Sequence, residues 1–422
     1  MPWRVVATAI CLAAWLAMAP GAARGADDVI LGVPTSLATM EGAESLRAVE
    51  LAVSEINQAG GVRIGSRRRT LRVVPYDLND VQPGHPPKEA VAKLRAFLEG
   101  VKPQAIVVGP FRSEVLLEAM DLLAEKKIPT MVCIAMSPAV DAKILSNAKY
   151  KYIFRVGINS KYLVVYLIET MKLLRQKFGF QKVFILNQDV AWSRSTASLM
   201  IKLYFDRAGW QVLGQENIAE GSEDFSASLT KIKDQGAQVI LALFDMPSSM
   251  GLVKQWHAMK PPAILCGFIS PAVSPQAWSS MHGRLTGLIN VVYELGNLPT
   301  AKYPPASAFQ AAFLARYGQP VQSGHGPAPA YESVYILAKA MERAGTLEAG
   351  RVVQALEATD RQGTMGRARF HRGHQVVFGG EPHEVALAGV IQWTESGKRV
   401  IVYPQSIAEG RIVLPSFVKP AK

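Results

Sequence analysis

Cysteine is nearly absent, with three residues in 422, and Cys11 lies in an apolar stretch at the amino terminus, in the wrong context for lipid attachment. The remaining two cannot build a disulfide framework or a four-thiolate zinc site. Cys133 and Cys266 each close an apolar run, so both read as buried thiols in strands; a bridge between them is disfavoured because they fall in different halves of the pattern described below. Catalytic signatures are missing too. The chain has no Gly-x-Ser-x-Gly elbow, P-loop, Gly-x-Gly-x-x-Gly turn, His-Glu-x-x-His helix or Cys-x-x-Cys pair, which removes the usual hydrolase, nucleotide, dinucleotide, zinc-protease and redox readings. Beyond the first residues no apolar run reaches the ~20 uncharged residues that span a bilayer. A basic stripe is also lacking. Net charge is +12, but the densest run, Arg67-Arg68-Arg69, sits in a short turn after Gly65 and reads as a solvated face, so no nucleic acid is expected. His371 and His374 approach ligand spacing but flank a turn, and read as a solvated pair. Ser228 and Lys231 read as surface. No metal and no cofactor are expected.

What is present is apolar residue in quantity, 49%, enough for more than one core. Arg4, the run 5–19 and the small residues 21–26 form the three parts of a secretory signal peptide, taken as residues 1–25, so the mature chain is exported. Strand and helix then alternate. Short apolar runs at 30–34, 71–76, 105–109 and 128–134 read as strands; helical spacing joins Leu46, Val49, Val53 and Ile56, then Val91, Leu94, Phe97 and Leu98 up to a stop at Gly100, then Leu116, Met120 and Leu123. A second series follows. Helices are expected at 163–178, 195–208 and 225–235, and strands at 183–186, 211–218 and 239–244. Later helices contain Phe309, Phe313 and Tyr317, then Tyr331, Val334, Tyr335, Ala338 and Met341, and 385–403 is strand-like. The fold class is therefore α/β, with two doubly wound units too long for one sheet.

Open parallel sheets bind ligands beyond the carboxyl ends of their strands. Those ends carry Thr35-Ser36, the turn from Gly109 to Ser113, Ala135-Met136-Ser137, residues 187–192, Asp245-Met246 and residues 267–270. Small polar donors mixed with aromatics suit a small-molecule cleft.

Collinear blocks carry a family resemblance: AVELAVSEINQAGGV with a following strand that ends in YD, then VVGPFRS, KKIPTMVCIAMSPA, YIFRVG, FGFQKVFILNQDVAWSRS, EDFSASLTKIKDQGAQVILALF, YESVYILAKAMERAG and TMGRARFHRGH. Together they resemble the leucine/isoleucine/valine-binding proteins, the type 1 periplasmic solute-binding family of ABC transporters. The resemblance implies two Rossmann-like lobes joined by three hinge strands, with ligand in the cleft and closure by hinge bending. Lobe one would be 27–155 plus 291–368, and lobe two 156–290 plus 369–422. It also implies a periplasmic, non-enzymatic protein whose partners are a small-molecule ligand and an ABC permease in the inner membrane. A periplasmic ligand sensor is the alternative, and a secreted enzyme a more distant one.

Carried onto this sequence, the resemblance makes Ser113 a ligand-gripping serine, with a plain helix cap as the other reading. Trp192 stands where the family covers its ligand with Tyr, or it packs the lobe. The departures matter as much. Met136, with Ser137 beside it, replaces a carboxylate-binding Ser or Thr; Phe268-Ile269 replaces the acid that holds an ammonium; Glu41 replaces an aromatic. An unpaired buried ammonium costs several kcal/mol, so an α-amino acid is disfavoured unless Asp245 substitutes. With Phe111, Met136, Trp192, Phe244 and Met246 near the same strand ends, the expected ligand is apolar or aromatic, a carboxylate held by Ser113 and Arg112 or an amino-acid-like molecule. Arg112 facing solvent is the competing reading.

Overall fold

The computed structural model describes residues 28–82 and 84–421; the expected signal peptide, Cys11 included, lies outside the described residues. The first unit runs β1 (Val29–Thr35), α1 (Met40–Gln58), a hairpin of β2 (Val62–Ile64) and β3 (Arg67–Arg69), β4 (Leu71–Asp77), α2 (Pro87–Val101), β5 (Ala105–Val108), α3 (Ser113–Lys126), β6 (Thr130–Val132), α4 (Ala139–Ser146) and β7 (Ile153–Arg155). Five strands pair in the order β4-β1-β5-β6-β7, all parallel. Parallel neighbours require crossover connections, and here helices supply them, which is why β5 is apolar and buried throughout.

The second unit continues with α5 (Ser160–Phe178), β8 (Lys182–Gln188), α6 (Ala191–Met200), β9 (Gln211–Ile218), α7 (Ser226–Asp234), β10 (Val239–Phe244), α8 (Met250–Met259), β11 (Ile264–Ile269), α9 (Ala277–Ser280) and β12 (Ile289–Val292). Three helices, α10 (Pro304–Tyr317), α11 (Pro327–Ala344) and α12 (Ala349–Glu357), then return to the first unit. The hydroxyls of Tyr331 and Tyr335 on α11 both donate to Glu55 of α1. A hairpin, β13 (Asp360–Gly363) and β14 (Gly366–Arg369), leads back to β15 (Gly389–Trp393) and β16 (Arg399–Tyr403). These last two join the second sheet, whose order is β16-β15-β12-β11-β10-β8-β9. Within the strand-like stretch 385–403, β15 runs antiparallel to both β12 and β16, and β16 forms the edge of an otherwise parallel sheet.

Local departures from the sequence pattern have physical causes. Helix α2 passes through Gly100 and ends at Val101, because Lys102 takes the left-handed conformation (φ 51°) and closes the last turn on the Leu98 carbonyl. The expected helix 195–208 begins earlier and divides, α6 being followed by a wider π turn over Ile201–Phe205. Arg67-Arg68-Arg69 forms β3 rather than a turn. His374 is not solvated: it is buried, stacked on Phe154 at 4.0 Å, with its nitrogens facing the Ile153 carbonyl and Glu357. Cys133, just past β6, and Cys266, within β11, are buried and unbridged. Burial pushes the Cys133 thiol up to about 12.

Candidate functional site

The carboxyl ends of both sheets face each other across one cavity, and the loops that reach it are turned there by the backbone. At the end of β5, Val108 and Gly109 both adopt left-handed φ, 74° and 71°. For a β-branched residue this is an outlier of the kind that clusters at ligand sites and costs about 1–3 kcal/mol. It directs Phe111, Arg112 and Ser113 into the cleft. The cavity is narrow and is walled by those three with Glu41, Ile134 and Met136 from the first unit, and by Trp192, Asp245 and Phe268 from the second, with Tyr293 and His325 closing the hinge side.

Ser113 opens α3 but does not cap it. Arg112 occupies the cap position, its backbone N donating to Asp80 at 2.9 Å. The Ser113 hydroxyl instead accepts from the backbone N of Met136 and of Ser137, each at 3.1 Å. Two acceptor sites are thereby filled, and the hydroxyl hydrogen is left for the cavity.

The Arg112 side chain is only 12% exposed, so it does not face solvent. It crosses the cleft: Nη1 lies 2.8 Å from Asp245 Oδ2, and Nη2 bonds Glu220. Burial pulls the guanidinium down, but Asp245 and Glu220 outweigh it and hold it above its ordinary value. Trp192 Nε1 donates to the same Asp245 oxygen at 2.7 Å, and Gln188 Nε2 to the other at 2.8 Å. Two sequence-based expectations are corrected by this. Asp245 has three donors already and is no free partner for an ammonium, and Arg112 is committed to two carboxylates rather than open to a third.

Aromatic rings form the second unit's wall. Phe268 stacks on Tyr293 with centroids 3.9 Å apart, and Trp192 meets Phe268 edge-on at 5.9 Å. Tyr293 is completely buried, and among the described residues its hydroxyl has no hydrogen-bond partner. Glu41, in the first turn of α1, accepts the Ser270 hydroxyl on Oε1 across the cleft. Burial raises Glu41 above the usual carboxylate range, and the bond from Ser270 offsets this only in part.

Behind the cavity, His325 Nδ1 lies 2.9 Å from Glu294 Oε1 and Nε2 lies 2.8 Å from the Ile134 carbonyl. Both partners are acceptors, so both nitrogens carry hydrogen and the ring is a cation. Burial lowers the imidazole, but the Glu294 charge and hydrogen bond, with the Ile134 carbonyl, raise it above its ordinary value. Glu294 also accepts from the backbone N of Ile158 and Gly326 and from Asn297.

Of the residues singled out from sequence, Glu41, Phe111, Arg112, Ser113, Met136, Trp192, Asp245 and Phe268 meet at the cavity. Met246 lines a broader vestibule outside it, beside Pro247 and Pro271. Ser137 is not brought in: its hydroxyl accepts from Ala139 N at 3.3 Å, and its carbonyl holds Arg155. Phe244 is core, edge-on to Phe225. Sequence reasoning missed Tyr293, His325 and Ile134. Tyr293 directly follows β12, a strand end that could have flagged it; His325 sits in a loop with no local signal.

A family model described as periplasmic binding protein matches residues 30–391. The chain is 25% identical over 418 residues to Leu/Ile/Val-binding protein homolog 7 of Brucella suis, covering 96% of this chain and 98% of that protein. Among solved structures it resembles the branched-chain amino acid transporter substrate-binding protein of Streptococcus pneumoniae, in complex with isoleucine (TM-score 0.72, 19% identity, 89% and 100% of the two chains). It also resembles an ABC transporter solute-binding protein of R. palustris in complex with benzoate (TM-score 0.71, 17% identity, 93% and 99%). The last two likenesses show a shared fold.

Proposed function

The chain belongs to the periplasmic binding protein family, and from that premise we propose that it captures a small organic molecule with an apolar or aromatic body and delivers it to an ABC permease of the inner membrane. Lobe one is then 27–155 plus 291–368, lobe two is 156–290 plus 369–422, and the periplasm is where the exported chain works. The observation that carries this reading is the cavity itself: apolar and aromatic side chains from both units, set beside the charged side chains of Glu41, Arg112, Asp245 and His325, at the carboxyl ends of both sheets. Phe111, Met136, Trp192 and Phe268 hold the ligand body, Ser113 and Glu41 face its polar group, and Arg112 with Asp245 closes the mouth. The isoleucine and benzoate held by the two structural relatives are small ligands with apolar or aromatic bodies.

Ligand bound first to one lobe recruits the other, so the closed form is the one a permease can distinguish. Thermal unfolding against branched-chain and aromatic amino acids, aromatic carboxylates and aromatic amines tests capture. A ligand at a hundredfold excess over its Kd stabilises the fold by about 2.7 kcal/mol, and Trp192→Ala should remove most of that gain. Silence across the whole panel would count against the reading. Delivery is checked by uptake of the labelled ligand, which should fall to background in a deletion strain and return on complementation.

A further inference from the structure

Three observations around the cavity converge on one chemical group. Glu41 is buried with Oε1 bonded to Ser270, and among the described residues no second side chain bonds its carboxylate. The Tyr293 hydroxyl, wholly buried in the cavity wall, is unpartnered. Around them stand the carboxylates of Glu41, Asp245, Glu220 and Glu294 against the cations of Arg112 and His325, four to two. Both cations are already paired, so a ligand carboxylate would meet an excess of negative charge and no free positive group. An ammonium meets the opposite conditions. It has hydrogens for the Glu41 carboxylate and for the Tyr293 oxygen, it balances the local charge, and the aromatic wall of Phe268 and Trp192 attracts a cation at its ring faces.

Resting on the solute-capture reading, we propose that Glu41 is the specificity-determining residue of the cavity and that its ligand carries a primary ammonium on an apolar or aromatic body. Glu41 thus takes the place of the acid that Phe268-Ile269 displaced. The Tyr293 hydroxyl sets the direction of the ammonium within the cavity.

The test is titration calorimetry of the purified full-length mature chain with 2-phenylethylamine, L-phenylalanine and 3-phenylpropionate, on the wild type, Glu41→Gln and Tyr293→Phe. The wild type should bind the amine more tightly than 3-phenylpropionate. Glu41→Gln should weaken the amine about 10- to 100-fold, since it removes a charged hydrogen-bond partner, and Tyr293→Phe about fivefold. Should Glu41→Gln not fold, the wild-type preference and the Tyr293→Phe shift decide. Preference for 3-phenylpropionate, or amine affinity unchanged in Glu41→Gln, overturns the proposal while leaving solute capture standing. Binding of none of the three, with no contraction in small-angle scattering, counts against both.

Discussion

Two sets of buried charges lie within a short distance of the cavity, and they differ in what they connect. On the hinge side, Glu294 just past β12 bonds His325 and the backbone of Ile158 just past β7. Arg155, at the end of β7, holds Asp141, the Ser137 carbonyl and Gln375. These groups tie together the segments by which the chain passes between its two units. Across the cleft, Arg112 of the first unit grips Asp245 and Glu220 of the second. The chemistry is the same, guanidinium or imidazolium with carboxylate, but the first set spans segments that a hinge motion keeps together. Under the proposed capture by closure, the second spans surfaces that part when ligand enters. A buried ion pair is therefore structural in one place and a breakable contact in the other.

The largest effect should come from attacking the hinge set. Glu294→Ala leaves the His325 cation buried without its partner and removes the acceptor for three further hydrogen bonds, so it should cost about 3–5 kcal/mol in urea unfolding. Arg112→Ala should behave otherwise. Asp245 and Glu220 become hydrated when the cleft opens, so the loss, about 2 kcal/mol, falls on the closed form. Small-angle scattering should report a larger radius of gyration, with the unfolding free energy moving by less than half the Glu294→Ala change. Equal destabilisation by the two variants would erase the distinction. The smallest effect is a pH dependence. His325 titrates higher folded than its ordinary 6.5, so its stabilising contribution is complete below that pH and is lost as pH rises through the folded value. The difference in unfolding free energy between wild type and His325→Gln should shrink as pH rises from 6 to 9, and a constant difference would show that the ring is not charged in the fold.

The sheets were legible because buried parallel strands leave continuous apolar runs, as in 239–244, and because helices such as α5 leave a 3.6-residue period. Seven of the cavity residues were legible for the related reason that strand ends face ligands. What the pattern could not carry is which end meets which. Arg112 and Asp245 are 133 residues apart, and no local rule pairs them, so one was expected to hold a carboxylate and the other an ammonium when they hold each other. Glu41 could be seen as a departure, but that Ser270 is the one side chain bonded to its carboxylate among the described residues depends on contacts across the cleft. Ser137 was misplaced because a serine beside a strand end can turn either way, and here its hydroxyl serves its own following turn.

The two unbridged thiols give this architecture a chemical clock in each half. Cys133 lies at the end of a strand in the first sheet and Cys266 within a strand of the second, and burial suppresses the thiolate of each. Only the thiolate reacts with an alkylating reagent, so modification of either waits for its own sheet to open, and the order in which the two are labelled gives the order in which the lobes come apart.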